Sequence, residues 1–160
     1  MITRAVSSER MPMNDEDLER MIAGFMKTQG MCVLATCFNG EPRASAVEFF
    51  PAGTTLYVLT EGGRKLENIE KNSHVSVAIH TQFTGWDSIK GIQITGTAEI
   101  GESGSKTFDE GVEAYRRRRG LKSVSVPSFM RIINITPLKI EYLDTTLREK
   151  RLDAKHVLEY

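Results

Sequence analysis

The sequence predicts a mainly β protein in which six or seven antiparallel strands form a barrel or a sandwich, with helices at its edge. Apolar and polar residues alternate in several short runs, of which "GIQITGTAEI" is the clearest. Turn signals such as Asn39-Gly40 join consecutive runs closely enough for antiparallel hairpins. Three other segments show helical periodicity, and their positions suit lids on a barrel better than the crossovers of a parallel sheet.

Three helices are expected. The first covers residues 14–28, with Asn14 as its N-cap, acidic residues in its first turn and an apolar stripe along one face. A short second helix follows Gly63, and a third covers residues 105–118. The apolar faces of the three helices are, in order, Leu18, Met21, Ile22, Phe25 and Met26; Leu66 and Ile69; and Phe108, Val112 and Tyr115.

The strands are expected as a meander of three, followed by two pairs. The meander consists of "MCVLATCF", "PRASAVEFF" and "TLYVLT", and the next pair consists of "HVSVAIHT" and "GIQITGTAEI". The segment "SFMRIINITPLKIEYLD" supplies a sixth strand, a break at Pro137 and a seventh strand. The charged tail, residues 145–160, is expected to be a terminal helix or partly disordered. The chain is thus one domain, 1–160, with its core at about 14–144.

Composition and charge exclude several classes of protein. Hydrophobic residues make up 40% of the chain, and the 21 basic residues balance 21 acidic ones, which argues against binding to nucleic acid or to an anionic membrane. No apolar run is long enough to span a bilayer, and the N-terminus lacks the apolar region of a secretion signal, so a cytoplasmic location is expected. The arginine run, residues 116–119, ends a helix and is interpreted as a solvated or dimer-contact face.

Neither a metal site nor a nucleophilic site is visible. Cys32 and Cys37 lie on one predicted strand roughly 16 Å apart and on opposite faces, which is too far for a disulfide. His74 and His80 are separated by roughly 20 Å of strand and cannot share a metal ion. No Ser-His-Asp, Cys-His or paired-carboxylate pattern stands out, so no catalytic residue is assigned.

The stretch "LTEGGRKLENIEKN" has the parts of an anion-binding turn. Gly62 and Gly63 let the backbone approach a ligand closely, and the first N–H groups of the following helix are free to donate. Arg64 can donate to two phosphate oxygens, and Lys65 adds a second charge. The alternative is a glycine turn whose two solvated cations pair with acidic residues of the helix, Glu67 or Glu70. The spacings of a P-loop and of a Rossmann fingerprint are absent.

Five motifs occur in an order that resembles a known family. They are "NGEPRASAV", "LYVLT", "GGRKLENIEKNSHVSVA", "GIQITGTAEI" and "RIINITPLKIEYLD". Residues 14–144 are similar to the flavin-binding split-barrel family related to pyridoxamine 5′-phosphate oxidase. This resemblance implies a Greek-key-like split β-barrel that binds FMN, and a homodimer whose two flavin sites are built from both chains.

The resemblance also implies a role for individual residues. Arg64 and Lys65, in the turn that Gly63 opens, would hold the flavin phosphate, and Arg43 would reach the same phosphate or the ribityl chain. The residues expected beneath the flavin ring are Ala44, Ser45, Ala46, Val47 and Thr60. Trp86 would stack on the flavin or cover it across the dimer interface; the alternative is a residue that plugs the barrel mouth.

Two departures from the true oxidases bear on the substrate. The oxidases carry a glutamine where Gly91 stands, and Gln93, on the same face, would substitute for it. The oxidases also end in a basic segment with a histidine that binds substrate, which "LREKRLDAKHVLEY" does not reproduce, so pyridoxamine phosphate is not the expected substrate.

The function expected from the resemblance is electron transfer through FMN. NAD(P)H or a similar donor would reduce the flavin, which would reduce a small organic acceptor or oxygen. The alternatives are a non-catalytic flavin-binding stress or redox module, and the same fold binding haem or a deazaflavin. A barrel that binds nucleic acid is the least favoured alternative because the charges balance.

Overall fold

The structure, a computed structural model, describes residues 12–160. These residues contain eight strands in one antiparallel sheet. The strands are β1 Met31–Phe38, β2 Glu41–Glu48, β3 Phe50–Ala52, β4 Thr55–Thr60, β5 His74–His80, β6 Lys90–Gly101, β7 Arg131–Asp144 and β8 Lys155–Glu159. Their order is β2-β1-β5-β6-β7-β4-β3, and β8 pairs with β7. The predicted fold class, an antiparallel sheet with flanking helices, is confirmed.

Phe49 closes this sheet. β2 and β3 lie at opposite ends of the strand order, yet Phe49 alone separates them in the chain. The Phe49 side chain is fully buried, and its N–H donates to the carbonyl of Gly30 at 3.1 Å. One extended segment therefore connects the two edges of the sheet, which curls into a barrel around the main core.

The predicted meander is confirmed in part: its second strand divides at Phe49 into β2, which pairs with β1, and β3, which pairs with β4. In the sheet order β4 does not lie beside β2. β4 pairs with β3 and with β7, and Leu56 lies opposite Ile135. Both faces of β4 are covered: Leu56 and Val58 are buried in the main core, and Tyr57 is buried in a second cluster beneath the third helix. A strand apolar on both faces suits this interior position.

The predicted break at Pro137 is wrong, since β7 runs through it. The register between β6 and β7 shifts at Thr95/Gly96, opposite Pro137, so the missing N–H of the proline falls in an irregular part of the ladder. A Cβ on Gly96 would lie 2.5 Å from the carbonyl oxygen of Thr136, so only glycine fits here.

The C-terminal tail belongs to the fold, which corrects both the predicted terminal helix and the core boundary at residue 144. After a 3₁₀ segment, Thr145–Lys150, the chain forms β8 along β7. The N–H of Tyr160 donates to the carbonyl of Leu138 at 3.1 Å, and the Tyr160 hydroxyl lies 2.6 Å from the Thr54 hydroxyl. The tail thereby covers an edge of β7.

The three helices are α1 Asp15–Thr28, α2 Arg64–Lys71 and α3 Lys106–Arg119. Asn14 caps α1, as predicted, by accepting from the Asp17 N–H at 2.8 Å. Four of the five predicted stripe residues of α1 are buried in the main core and Met21 packs against it, while Phe108, Val112 and Tyr115 of α3 face the second cluster. The three predicted helices are thus confirmed, and α3 begins and ends one residue later than predicted.

No helix within residues 12–160 is long and apolar enough to cross a membrane. The expected lack of a secretion signal rests partly on residues 1–11, which lie outside the described residues. The cytoplasmic location therefore stays a prediction.

Candidate cofactor site at the start of α2

A turn of two glycines with positive φ joins β4 to α2. Gly62 has φ 152° and Gly63 has φ 101°, both in the region that side chains disfavour. The Thr60 hydroxyl donates to the Gly62 carbonyl at 3.2 Å and accepts from the Gly62 N–H at 3.3 Å. Thr60, which is buried at the end of β4, therefore holds the turn in place.

The N-terminus of α2 offers free donors. Gly63 is the N-cap and provides no side-chain cap, while its carbonyl accepts from the N–H groups of Leu66 and Glu67. The N–H groups of Arg64 and Lys65 have no hydrogen-bond partner among the described residues. Free N–H groups at the positive end of a helix favour an anion.

The two cations of the turn have different partners. The Lys65 ammonium donates to the Gly62 carbonyl at 2.9 Å, so it folds back over the turn. The exposed Arg64 side chain pairs with two carboxylates: its Nε is 3.4 Å from Glu67, and its NH1 is 3.8 Å from Glu41. The structure therefore contains the glycine turn that an anion-binding site requires. It also contains the Arg64–Glu67 ion pair expected from the alternative, in which the cations pair with acidic residues of the helix.

Arg43 lies at the same end of the barrel. It is opposite Thr36 in the β1–β2 ladder, and the buried Thr36 hydroxyl accepts from the Asn68 side chain of α2 at 3.0 Å. Glu41, two residues before Arg43 on the same strand face, reaches Arg64. Arg43 is exposed and has no ion pair within residues 12–160, so its charge is available to a ligand.

The four residues after Arg43 divide between two faces of β2. Ser45 and Val47 lie opposite Leu34 and Cys32, which point into the barrel, and Val47 packs against the main core. Ala44 and Ala46 are exposed on the outer face. Only these two alanines present side chains to a ligand on the outside of the sheet.

Gln93 lies on the same outer face but several strands away. The ladders place Ala46 opposite Val33, Val33 opposite Ala78, and Ala78 opposite Gln93. Three strand spacings separate Ala46 from Gln93 by roughly 14 Å. The exposed Gln93 is therefore not beside the two alanines of β2 within one chain.

Trp86 lies farther still. It begins a 3₁₀ turn, Trp86–Ser88, that follows β5, whereas α2 precedes β5, so the strand length of roughly 20 Å separates them. Its side chain is 79% exposed, and its ring centroid is 5.6 Å from that of Phe83. The alternative that Trp86 plugs the barrel mouth is wrong.

Comparison with known proteins identifies the family. The profile of the pyridoxamine 5′-phosphate oxidase family matches residues 18–144. The chain belongs to this family. The predicted resemblance is confirmed, although no curated protein matches the chain significantly.

Solved structures share the fold of this pyridoxamine 5′-phosphate oxidase family member. A candidate pyridoxamine 5′-phosphate oxidase from Listeria innocua is 25% identical with a TM-score of 0.62, and the match covers 79% of this chain and 98% of that one. A FAD-binding protein from Mesorhizobium loti is 17% identical, with a TM-score of 0.60 and coverages of 76% and 90%. A haem-binding protein from Mycobacterium smegmatis is 15% identical, with a TM-score of 0.66 and coverages of 99% and 60%.

A second polar cluster of this family member was missed by the sequence analysis. The buried Asp144 carboxylate accepts from the Tyr142 hydroxyl at 3.1 Å and from the Thr146 hydroxyl at 2.5 Å, and lies 3.3 Å from the Lys90 ammonium. Burial raises the pKa of Asp144, but the Thr146 and Lys90 contacts outweigh it and leave that pKa below its usual value. The cluster borders a cavity of about 410 Å³ beside α1, and nothing in the local sequence pattern distinguishes it from a strand end.

The arginine run at the end of α3 binds other parts of the chain. Arg118 donates to the carbonyls of Lys27 and Gln29 at the end of α1. Arg119 donates to both carboxylate oxygens of Glu48, at 2.8 and 2.9 Å. Arg118 and Arg119 therefore tie α3 to α1 and to β2. Arg117 and Arg119 are nevertheless exposed, as the predicted solvated face requires, and the dimer-contact alternative stays a prediction.

The two histidines of β5 and the two cysteines of β1 lie as predicted. His74 and His80 are both exposed on β5, while Cys32 is buried on one face of β1 and Cys37 is half-buried on the other, both as free thiols. Across residues 12–160, no group of three or more His, Cys, Asp or Glu is arranged to hold a metal ion.

Proposed function

We propose that this member of the pyridoxamine 5′-phosphate oxidase family binds FMN and acts as an oxidoreductase. NAD(P)H or a similar donor would supply the electrons, and a small organic molecule or oxygen would accept them. The observation that carries the proposal is the gathering of Arg43, Arg64 and Lys65 at one end of the barrel, beside the free N–H groups of α2.

These donors fit a phosphate monoester. Such a group carries up to two negative charges on oxygens that accept several hydrogen bonds, which matches two guanidinium groups, one ammonium and two free backbone N–H groups. Arg64, Lys65 and Arg43 would hold the phosphate, with Thr60 and Gly63 supporting the turn. Flavin supplies hydride- and electron-transfer chemistry when bound, and the chain's own task is to orient it.

Arg43 lies on the opposite strand face from Ala44 and Ala46, so the rest of the cofactor would pass around the exposed edge of β2 to its outer face. Ala44 and Ala46 leave room for a flat ring because their side chains end at Cβ. Within one chain Gln93 lies three strands from Ala46, and Trp86 lies beyond the far end of β5, so we propose that a second copy supplies them in a homodimer.

Two alternatives share this site. The FAD-binding and haem-binding structures favour a different cofactor in the same fold, and a non-catalytic flavin-binding stress or redox module would use the same anion-binding turn. The absorbance spectrum of the purified protein and the mass of any released cofactor distinguish flavin, deazaflavin and haem. Steady consumption of NAD(P)H would then contradict the non-catalytic alternative.

A double variant tests the residues. Arg64→Ala with Lys65→Ala should lose most of the bound flavin while its thermal unfolding stays cooperative. The matched control is Arg148→Ala with Lys150→Ala, which removes the same charge from exposed positions beyond β7. Unchanged flavin content in the first variant, or a wild-type protein without flavin that binds none on titration, would contradict the proposal.

A further inference from the structure

The Arg64 guanidinium is shared by two carboxylates from different elements. Glu67 lies one turn along α2, with an oxygen 3.4 Å from Nε, and Glu41 begins β2, with an oxygen 3.8 Å from NH1. Lys65 has only a carbonyl partner, and Arg43 has no ion pair in the described part of the chain. Of the three proposed phosphate ligands, Arg64 is the one whose charge other groups of the chain already neutralise.

A phosphate that reaches Arg64 must compete with these carboxylates. Glu41, Glu67, Arg64 and Lys71 line one groove of about 180 Å³, so an anion that enters it meets two negative charges as well as two positive ones. Like charges repel at these distances, although exposure to solvent weakens the effect. A ligand without a phosphate meets no such competition.

We propose that Glu41 and Glu67 are specificity-determining residues of the phosphate site. They hold Arg64 in place when no ligand is bound, and they lower the affinity for phosphorylated ligands without changing the affinity for the unphosphorylated counterpart. This inference rests on the proposed function of the same site.

Glu67 has a second effect of opposite sign. It lies in the first turn of α2, where a negative side chain stabilises the helix dipole. Replacing Glu67 by glutamine therefore lowers the stability of the ligand-free protein and raises its affinity for a phosphorylated ligand. A purely structural role would weaken both properties together.

The test compares FMN with riboflavin, which lacks the phosphate. Their dissociation constants are measured by flavin fluorescence at low salt for the wild type, Glu67→Gln and Glu41→Gln. The matched control is Glu70→Gln, which removes the same charge from an exposed position of α2 that has no ion pair in the described structure. Glu67→Gln should bind FMN roughly two- to fivefold more tightly and riboflavin equally well, and the gain should shrink as salt is added.

The other outcomes separate the two proposals. A gain for Glu70→Gln as large as that for Glu67→Gln would assign the effect to the general field and overturn the inference. So would weaker FMN binding by Glu67→Gln. If the wild type binds FMN and Glu67→Gln leaves the selectivity for FMN over riboflavin unchanged, this inference alone is wrong. If the wild type binds neither flavin, both the proposed function and this inference are wrong.

Discussion

The guanidinium of Arg119 lies 2.8 and 2.9 Å from the two carboxylate oxygens of Glu48, so the last residue of α3 holds the last residue of β2. The neighbouring Arg118 lies over the Phe49 ring, with its guanidinium carbon 5.6 Å from the ring centroid. These contacts fix the point at which the chain leaves one edge of the sheet for the other. They also anchor the strand that carries Arg43.

Loss of the Arg119 side chain should therefore weaken the fold modestly. Both side chains of the pair are partly exposed, so we expect Arg119→Ala to lower the free energy of unfolding by about 0.5–1 kcal/mol. The control is Arg117→Ala, since Arg117 makes only a 3.8 Å contact with Glu113. Urea denaturation measures both, and equal losses would show that the Glu48 contact adds nothing.

Two helical glycines should respond oppositely to alanine. A Cβ on Gly111 of α3 would lie 2.5 Å from a side-chain carbon of Ile132, whereas a Cβ on Gly24 of α1 would meet nothing within 4 Å. Gly111→Ala should therefore destabilise the protein by about 1–3 kcal/mol through overpacking. Gly24→Ala should stabilise it by about 0.5–1 kcal/mol because alanine favours the helix. Thermal unfolding of both variants measures whether each substitution raises or lowers the stability. A stabilised Gly111→Ala variant would contradict the close packing of Gly111 against Ile132.

The Asp144 cluster predicts a pH-dependent contribution to stability. Because its carboxyl has a lowered pKa in the folded chain, its contribution is complete above the ordinary value of 3.8 and is lost as the pH falls through the folded pKa. Asp144→Asn should therefore cost about 1–3 kcal/mol at pH 7 and progressively less below about pH 4. Urea denaturation across this range tests it, with the exposed Asp87→Asn as control. A difference from wild type that stays constant with pH would contradict it.

The two thiols should differ in reactivity. Burial raises the pKa of Cys32 to about 12, whereas Cys37 is half-buried on the other face of β1. Because the thiolate is the reactive form, iodoacetamide at pH 8 should label Cys37 first and Cys32 only in denaturant. Mass spectrometry after timed quenching follows both sites, and Cys37→Ser should leave the native protein nearly unlabelled. Labelling of both cysteines at one rate would show that β1 opens readily.

Local patterns predicted the elements well, and long-range pairing explains the errors. The stripe of α1 and the Asn39-Gly40 hairpin follow from residues a few positions apart. The pairing of β4 with β7 does not, because periodicity tells which face of a strand is buried but not which strand lies beside it. β8 was missed since three of its five residues are exposed, two of them charged, and only His156 and Leu158 point inward.

The candidate site was predictable in part for a similar reason. Residue types alone indicate an anion-binding turn at Arg64 and Lys65. The β1–β2 register follows from the Asn39-Gly40 turn. The proximity of Arg43 to α2 also depends on the bond from Asn68 to Thr36, which a single sequence does not reveal. The Glu41 carboxylate beside Arg64 comes from the same long-range contact, which is why the sequence suggested only partners within the helix.

The pairing of Leu56 with Ile135 has a consequence for biosynthesis. A growing chain cannot complete the barrel until β7, which follows β4 at a large sequence separation, has left the ribosome. Until then the apolar faces of β3 and β4 lack their neighbour and remain open to chaperones or to other nascent chains. Contacts of such large sequence separation also slow folding, so this small protein should fold more slowly than a helical protein of equal length.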